Sequence, residues 1–493
     1  MLPTVQRDPQ TEGDQNNSPA TATPAQPGGV STRRFRTFDS LIDVPAFRWY
    51  MISMTGNWSA LQMQQVARGY LAYQITGSFA ALGIVELANT WPRLFLALYG
   101  GVVADRASRR VIIQIGQGVN AVNAGIIALL LFTGYLEFWH LITMSFIQGI
   151  LNSFVLPARQ AMIPEIVGSA RLMNAFALNV FVLNVMRLFA PALAGGIIAI
   201  LMARSGGNVF TSVGTVFVLM AALNVFAVVG LFPVPKTDWR TRNAALRTAA
   251  NAADAADAAE TVKDDAASDA TGTPRWRRGG GGGDGESGAI NRTGLKDIKD
   301  AFVYLKGQPV ILWLMVIHSS TAMLSLPYQR MLPGFVEEVL GSTPEEGAAL
   351  MGFLLTMTAI GALIGSLLIA SLPDKNRGKI LAWSLLLFGG TLMAFSASTI
   401  LWLSAGIVLI LGIGQSIRQS IANILIQARV EEVFRGRVSA IMLLDDGLES
   451  LGIFGVTLLA DFVGSQWALA GVGATMLIYG VVIWGVKTIR NLD

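Results

Sequence analysis

Gly101-Val-Val-Ala-Asp105-Arg106-Ala-Ser-Arg109-Arg110 and Ala370-Ser-Leu-Pro-Asp374-Lys375-Asn-Arg377-Gly-Lys379 are two versions of one short charged loop. Each follows a long apolar run and precedes another. With the two aspartates aligned, the chain divides into two related halves, each with a charged hinge at the same place.

Apolar runs of roughly twenty residues, the length that crosses a ~30 Å hydrocarbon core, recur about twelve times. In the first half they lie near Phe47–Tyr73, Ala80–Val103, Val111–Gly134, Phe138–Pro157, Leu172–Met202 and Val209–Phe232. In the second they lie near Val310–Leu332, Ala348–Leu372, Ile380–Ala397, Leu401–Leu425, Val438–Val463 and Trp467–Val486. A lipid-facing span must satisfy its N–H and C=O groups within itself, so these runs are expected to be helices and the fold all-α.

Composition agrees. Of 493 residues, 53% are hydrophobic and 14% charged, with a mean hydropathy of +0.53, where a soluble chain carries about 25% charged residues. A net charge of +4 and a pI near 9.4 do not indicate nucleic acid, because Lys and Arg fall between the apolar runs and not on one face or arm. There is no cysteine, and the two histidines, His140 and His318, are far apart, so no disulfide, thiolate or metal spacing exists. No G-x-x-x-x-G-K-[ST] loop is present, and the run Gly279–Gly283 lies in a linker, so neither an enzyme site, a cofactor nor ATP as energy source is expected.

Basic residues set the orientation. Arg33, Arg34, Arg36, Arg48, Arg106, Arg109, Arg110, Arg159, Arg171, Lys375, Arg377, Lys379, Arg435, Arg437, Lys487 and Arg490 fall on one side, against Arg68, Arg204 and Arg330 on the other. The positive-inside bias places both termini in the cytoplasm of a prokaryotic-type cell membrane. Residues 1–46 read as a disordered tail, 47–232 and 301–493 as two six-helix bundles, and 233–300, rich in Ala-Asp repeats and glycine, as a flexible cytoplasmic linker.

The spacing G-x-x-x-D-[RK]-x-x-[RK]-[RK] between the second and third spans of a half resembles motif A of the major facilitator superfamily of secondary transporters. Leu156-Pro157-Ala158-Arg159-Gln160-Ala161-Met-Ile163-Pro164-Glu165 with Arg171-Leu-Met-Asn174-Ala175, and its counterpart Gln427-Ala428-Arg429-Val-Glu431-Glu432 leading to Arg435-Gly436-Arg437, resemble the drug and siderophore exporter branch. Thr76-Gly77-Ser78, Pro92-Arg93 and Leu332-Pro333 add to the likeness. Two departures stand out. The arginine often placed before Gln-Gly in the fourth span is absent from Ser145-Phe-Ile-Gln148-Gly149, and the antiporter-type G-P-x-x-G-G survives only as Ala190-Pro191-Ala192-Leu193-Ala194-Gly195-Gly196. Small residues and a proline there still permit close helix approach and a bend. The resemblance implies two pseudo-symmetric six-helix bundles that move by alternating access around a midplane site.

Candidate gating residues follow. A carboxylate at Asp105 can face the positive end of a neighbouring helix, worth ~0.3–1 kcal/mol when exposed; by resemblance that helix is the eleventh span. Arg106, Arg109 and Arg110 would then pair with Glu431 or Glu432, and Asp374 with Lys375 would meet the start of the fifth span near Arg171. Alternatively these charges only mark the inside loops.

Ionisable residues within spans cost ~2.5–3.5 kcal/mol at mid-membrane unless a cavity or partner receives them. In the eleventh span Asp445 and Glu449, at i,i+4, share a face beside Asp446. Two such carboxylates do not both ionise cheaply, so one could carry a proton; alternatively both are held charged by Arg418. Glu86 could join this cluster, because the resemblance sets the second span on the eleventh and the fifth on the eighth, or it could be hydrated near the outer end. Arg187 in the fifth span is a further intramembrane charge, Arg93 is expected to serve structure, and Arg68 to snorkel.

By resemblance the first, fourth, seventh and tenth spans line the central path. They offer Asn57, Trp58, Gln62, Gln64, Gln65, Gln148, Asn152, His318, Gln329 and Gln415 beside Arg418. Apolar and aromatic surface with scattered amides suits an amphipathic solute. His318 titrates in a useful range or is hydrogen-bonded to a neighbouring helix.

The expected function is proton-coupled export, an efflux antiporter for a hydrophobic or amphipathic drug- or siderophore-like molecule. The alternatives are an importer or a carrier of lipid-like substrate and, from another class, a membrane sensor whose linker signals to a partner. The expected partners are a small-molecule substrate, a proton or other coupling ion and the bilayer, without nucleic acid, around a monomer.

Overall fold

In a computed structural model the described residues are 39–168, 171–236, 248, 307–371, 375–430, 438, 442 and 445–490. A short helix α1 (Asp39–Asp43) leads into α2 (Pro45–Thr76), α3 (Phe79–Arg106), α4 (Arg109–Thr133), α5 (Phe138–Val167), α6 (Leu172–Arg204) and α7 (Val209–Gly230). The second half supplies α8 (Pro309–Ser325), α9 (Pro327–Glu338), α10 (Pro344–Ser371), α11 (Arg377–Ala397), α12 (Leu401–Arg429), α13 (Asp445–Val463), α14 (Ser465–Gly485) and α15 (Lys487–Arg490). No strand occurs among the described residues. The expected all-α fold is the observed one.

Nine spans among the described residues are long and apolar enough to cross a membrane. The long helices α2, α3 and α13 fall outside that set, and these carry Arg68, Glu86, Arg93, Asp445, Asp446 and Glu449. Their polarity faces inward. Outward, Phe95, Ile115, Leu129, Phe181, Leu367, Trp383, Phe462 and Ile478 are exposed, an apolar belt of the kind lipid requires.

Within the first half α3 packs on α5 and α4 on α7; within the second, α10 packs on α12 and α11 on α14. The same pairing thus recurs: second span on fourth, third on sixth. Across the halves α3 packs on α13 and α6 on α10, the second-on-eleventh and fifth-on-eighth arrangement that the resemblance implies. Small residues permit these crossings. A Cβ added at Gly195 of α6 would stand 2.2 Å from the Ala348 carbonyl, and one at Gly83 of α3 2.3 Å from Thr457 Oγ1.

Several expected boundaries move. Residues 39–46, assigned to the tail, hold α1 and the start of α2: Asp43 pairs with Arg171 at 3.2 Å, and Ser40 Oγ donates to Asn174 at 2.7 Å. The fourth span does not stop at Pro157, because α5 continues through Pro157 and Pro164 to Val167. Proline is tolerated in such helices where neighbours satisfy the freed carbonyl. The seventh span is broken in two at Leu326, since Pro327 starts α9 without an N–H to continue α8. Phe335 of α9 stacks on Phe395 of α11, centroids 4.5 Å apart. The rest of the tail (1–38) and all of the linker from 249 to 300 lie outside the described residues.

Candidate functional site

Two chambers, of about 670 and 340 Å³, lie between the halves and share Gln62, Gln65, Leu326, Arg330, Asp446 and Glu449 in their walls. The two chambers of this cavity adjoin across those shared side chains. The larger reaches Ser366, near the end of α10 at Ser371, and Asn423, near the end of α12 at Arg429. It therefore comes within about two turns of the end of the molecule where Asp105 lies.

On the first-half wall a single amide oxygen organises three helices. Gln148 Oε1 accepts from Gln64 Nε2 (3.1 Å), Arg68 Nη1 (3.1 Å) and Asn89 Nδ2 (3.3 Å), while Gln148 Nε2 donates to Gln64 Oε1 at 2.6 Å. Arg68 also donates to Ser145 Oγ at 3.3 Å and lies 3.6 Å from Glu86. Glu86 is shared across the halves, because Arg330 of α9 meets it at 3.2 Å. Arg93 of α3 likewise crosses to Asp446 of α13 at 3.0 Å. Deeper in α5, Arg159 donates to Asn57 Oδ1 at 2.5 Å, and its guanidinium lies 5.5 Å from the Trp58 ring centroid, a cation–π distance.

The second-half wall is built differently. Asp445 accepts from Ser319 Oγ at 2.5 Å and lies 3.2 Å from His318 Nε2. Arg418, 2% exposed, donates to Thr321 Oγ1 (2.9 Å) and Ser325 Oγ (3.1 Å). Gln415 Oε1 accepts from Tyr328 OH (3.1 Å) and Gln329 Nε2 (3.2 Å). Glu449 makes no hydrogen bond to a described residue, but stands within electrostatic reach of Arg330, Arg418, Asp446 and Glu86.

At the opposite end the halves touch through a second set of carboxylates. Asp461 of α13 accepts from Ser78 Oγ (2.5 Å), Phe79 N (2.7 Å) and Ala80 N (3.1 Å), covering the N-terminus of α3. Such orphan amides need an acceptor. Glu338 accepts from Tyr73 OH (2.7 Å) and Ser465 Oγ (3.3 Å), and Gln74 donates to Glu337.

Trp58, Gln62, Gln148, Asn152, His318, Gln415, Arg418, Glu86, Asp445, Asp446 and Glu449 all line the cavity. Asn57, 1% exposed, stands behind the wall as the acceptor for Arg159. The alternative of Arg418 as a direct partner of Asp445 and Glu449 is replaced by hydroxyl partners, with those carboxylates acting at longer range. Of the gating candidates, Arg109 meets Glu165 at 3.0 Å and the Ala161 carbonyl within the first half, and Arg110 donates to the Val234 carbonyl just past its end. Arg106 and Lys375 are exposed. Asp374, Glu431, Glu432 and the Asp105 side chain lie outside the described residues.

Arg68, expected to snorkel, is 9% exposed and bound into the wall. Arg159, assigned to a cytoplasmic loop, and Arg330, counted on the outer side, line the cavity as well. The wall is thereby more charged than the amide-and-aromatic lining expected. Asp461, Glu337 and Glu338 were not singled out at all, because a carboxylate near a span end looks like any hydrated loop residue.

The sequence pattern of the Major Facilitator Superfamily matches residues 50–444. The chain is 22% identical over 433 residues to the staphyloferrin A transporter of Staphylococcus aureus (strain NCTC 8325 / PS 47), covering 86% of this chain and 92% of that one. It is also 22% identical over 436 residues to the uncharacterized MFS-type transporter YfiS of Bacillus subtilis (strain 168), covering 83% and 85%. Among solved structures, the nucleoside transporter NupG superposes with a TM-score of 0.63 at 11% identity, covering 89% of this chain and 98% of that one. A bacterial homologue of the human lysosomal transporter Spinster, inward-facing and occupied, does so with 0.63 at 12%, covering 92% and 98%. At such identities these two speak for the fold alone. Sequence pattern, helix pairing and interfacial cavity agree: this multi-pass membrane protein belongs to the Major Facilitator Superfamily of transporters.

Proposed function

We propose that this transporter is a secondary active exporter, exchanging a siderophore-like amphipathic molecule for protons by alternating access. The observation that carries the reading is the asymmetry of the cavity: carboxylate contacts seal the halves together at the Asp461 end, while the cavity extends almost to the Asp105 end. With basic loops and both termini in the cytoplasm of the cell membrane, this conformation is ready to load from inside. The moving bodies are residues 47–232 and 301–493, joined by the linker 233–300. The name of the Staphylococcus relative supports a siderophore-like cargo over a purely hydrophobic one.

Glu449 is the proton carrier in this scheme. Asp445 is held by His318 and Ser319, and Asp446 by Arg93; Glu449 alone of the three has no hydrogen-bonded or ion-paired partner among the described residues, so it is free to exchange a proton against the pull of Arg330 and Arg418. At the Asp105 end, the aspartates of the two charged loops are the corresponding latch for the other state.

The test is substrate-dependent proton movement in proteoliposomes under an imposed pH gradient, screened over siderophores and amphipathic compounds. Proton-linked movement that Glu449→Gln uncouples supports the reading. Movement with no proton counterflow, or coupling intact in both Glu449→Gln and Asp445→Asn, overturns it.

A further inference from the structure

We infer that the transported solute is an organic anion with at least two acidic groups, received by Arg159 and Arg187 on the first-half wall. This deepens the transport reading and rests on it, adding the sign of the substrate's charge.

The inference comes from pairing the charges of the cavity. Its described walls hold six arginines and four carboxylates. Glu86 is divided between Arg68 and Arg330, Asp446 is taken by Arg93, Asp445 by His318, and Glu449 faces Arg330 and Arg418. Among the described residues that leaves Arg159 and Arg187 with no carboxylate either in contact or at longer electrostatic range, whereas Arg418 keeps Glu449 and Asp445 at a distance. The described partners of Arg159 are all neutral: the Asn57 amide, the face of Trp58 and the Tyr50 phenol, which donates to its backbone carbonyl at 3.3 Å; its Nε is buried with no acceptor. Arg187, exposed on α6, opens onto the larger chamber and makes no hydrogen bond or ion pair with a described residue.

Uncancelled charge in a low-dielectric wall is costly unless water or a ligand answers it. Asn57 and Trp58 hold the Arg159 fork in place without cancelling its charge, which leaves a preorganised receptor for a planar acidic group. Arg159 lines the smaller chamber and Arg187 the larger, and Gln62 and Gln65, which line both, add neutral donors. A lipophilic cation entering the same space would meet a surplus of like charge.

The full chain in lipid nanodiscs can be titrated calorimetrically at fixed ionic strength with citrate and 2-oxoglutarate as carboxylate probes and tetraphenylphosphonium as the cationic one. At least one carboxylate is expected to bind. Arg159→Gln and Arg187→Gln should each weaken it about tenfold, as loss of a charge-assisted hydrogen bond does, with Arg187→Lys retaining most of the affinity. Arg204→Gln, exposed and outside the cavity walls, should leave it unchanged. Failure of both carboxylates to bind at about 10 mM, unaltered binding in the doubly substituted protein, or binding of tetraphenylphosphonium alone overturns the inference. Carboxylate binding without proton-linked movement in proteoliposomes would remove the antiport cycle and leave the anion site standing; proton-linked movement of a cation would do the reverse.

Discussion

The two places where the halves meet through carboxylates use them in opposite ways. At the closed end, the described donors to Asp461, Glu337 and Glu338 are hydroxyls, an amide and backbone N–H groups. In the cavity, Glu86 faces Arg330 and Asp446 faces Arg93 across the halves. Water replaces a neutral donor at little cost, so contacts of the first kind can part and re-form with each cycle. A buried cation that loses its carboxylate is left with an uncompensated charge. The better buried Glu86–Arg330 contact therefore opens at least cost when a proton or an anionic solute takes the vacated role, whereas water can answer the more exposed Arg93–Asp446 pair.

The largest test of that contrast is Glu449→Gln. If the cavity exchanges charge, substrate affinity should lose its dependence on the pH gradient by about 100-fold, within the usual range of coupling energies; flux assays at matched and opposed gradients measure it. Next comes Gly83→Ala, where the new methyl would stand 2.7 Å from Phe454 Cα at the α3–α13 crossing. Overpacking of about 1–3 kcal/mol should drive the closed end apart. As the chain has no cysteine, single cysteines placed in the cavity would report the opening by maleimide labelling from each side. Asp461→Asn keeps an acceptor but removes charge from the α3 cap and should favour opening by about 0.3–1 kcal/mol, seen as up to several-fold faster labelling from the far side. Ser78→Ala deletes one of three donors and should shift the same rate by no more than about 0.5–1.5 kcal/mol. A cap variant that altered coupling but left accessibility unchanged would erase the distinction between the two regions.

Much of the architecture was legible from sequence because a bilayer imposes lengths and excludes charge. The apolar runs, the duplicated loop and the helix class follow from that, and so do Glu86 and the acidic cluster of the eleventh span, as charges too costly to leave in lipid. Hydropathy says less about where a helix ends. Pro157 looked like a terminus, which put Arg159 outside the membrane, yet α5 runs ten residues further, to Val167. Leu326-Pro327 lay inside a run that looked continuous, so the break that begins α9 and carries Arg330 into the cavity was hidden. Arg68 illustrates a third difficulty: composition counts a charge, whereas only tertiary packing shows that Gln148, Ser145 and Glu86 surround it. The pairing of Asp461 with a helix some 380 residues earlier in the chain depends on tertiary assembly, which no local pattern encodes.

Asp461 also sits in the last turn of α13, two residues before its end at Val463. A carboxylate at that position is repelled by the carbonyl ends of its own helix, by about 0.3–1 kcal/mol at low ionic strength. While it covers α3 that repulsion is offset; once the halves separate, it is not. Parting this end thus strands a negative charge against a negative pole, and the empty protein has a built-in tendency to snap shut there. Raising ionic strength should soften that tendency, making electrolyte on the far side a control on how long the molecule stays turned outward.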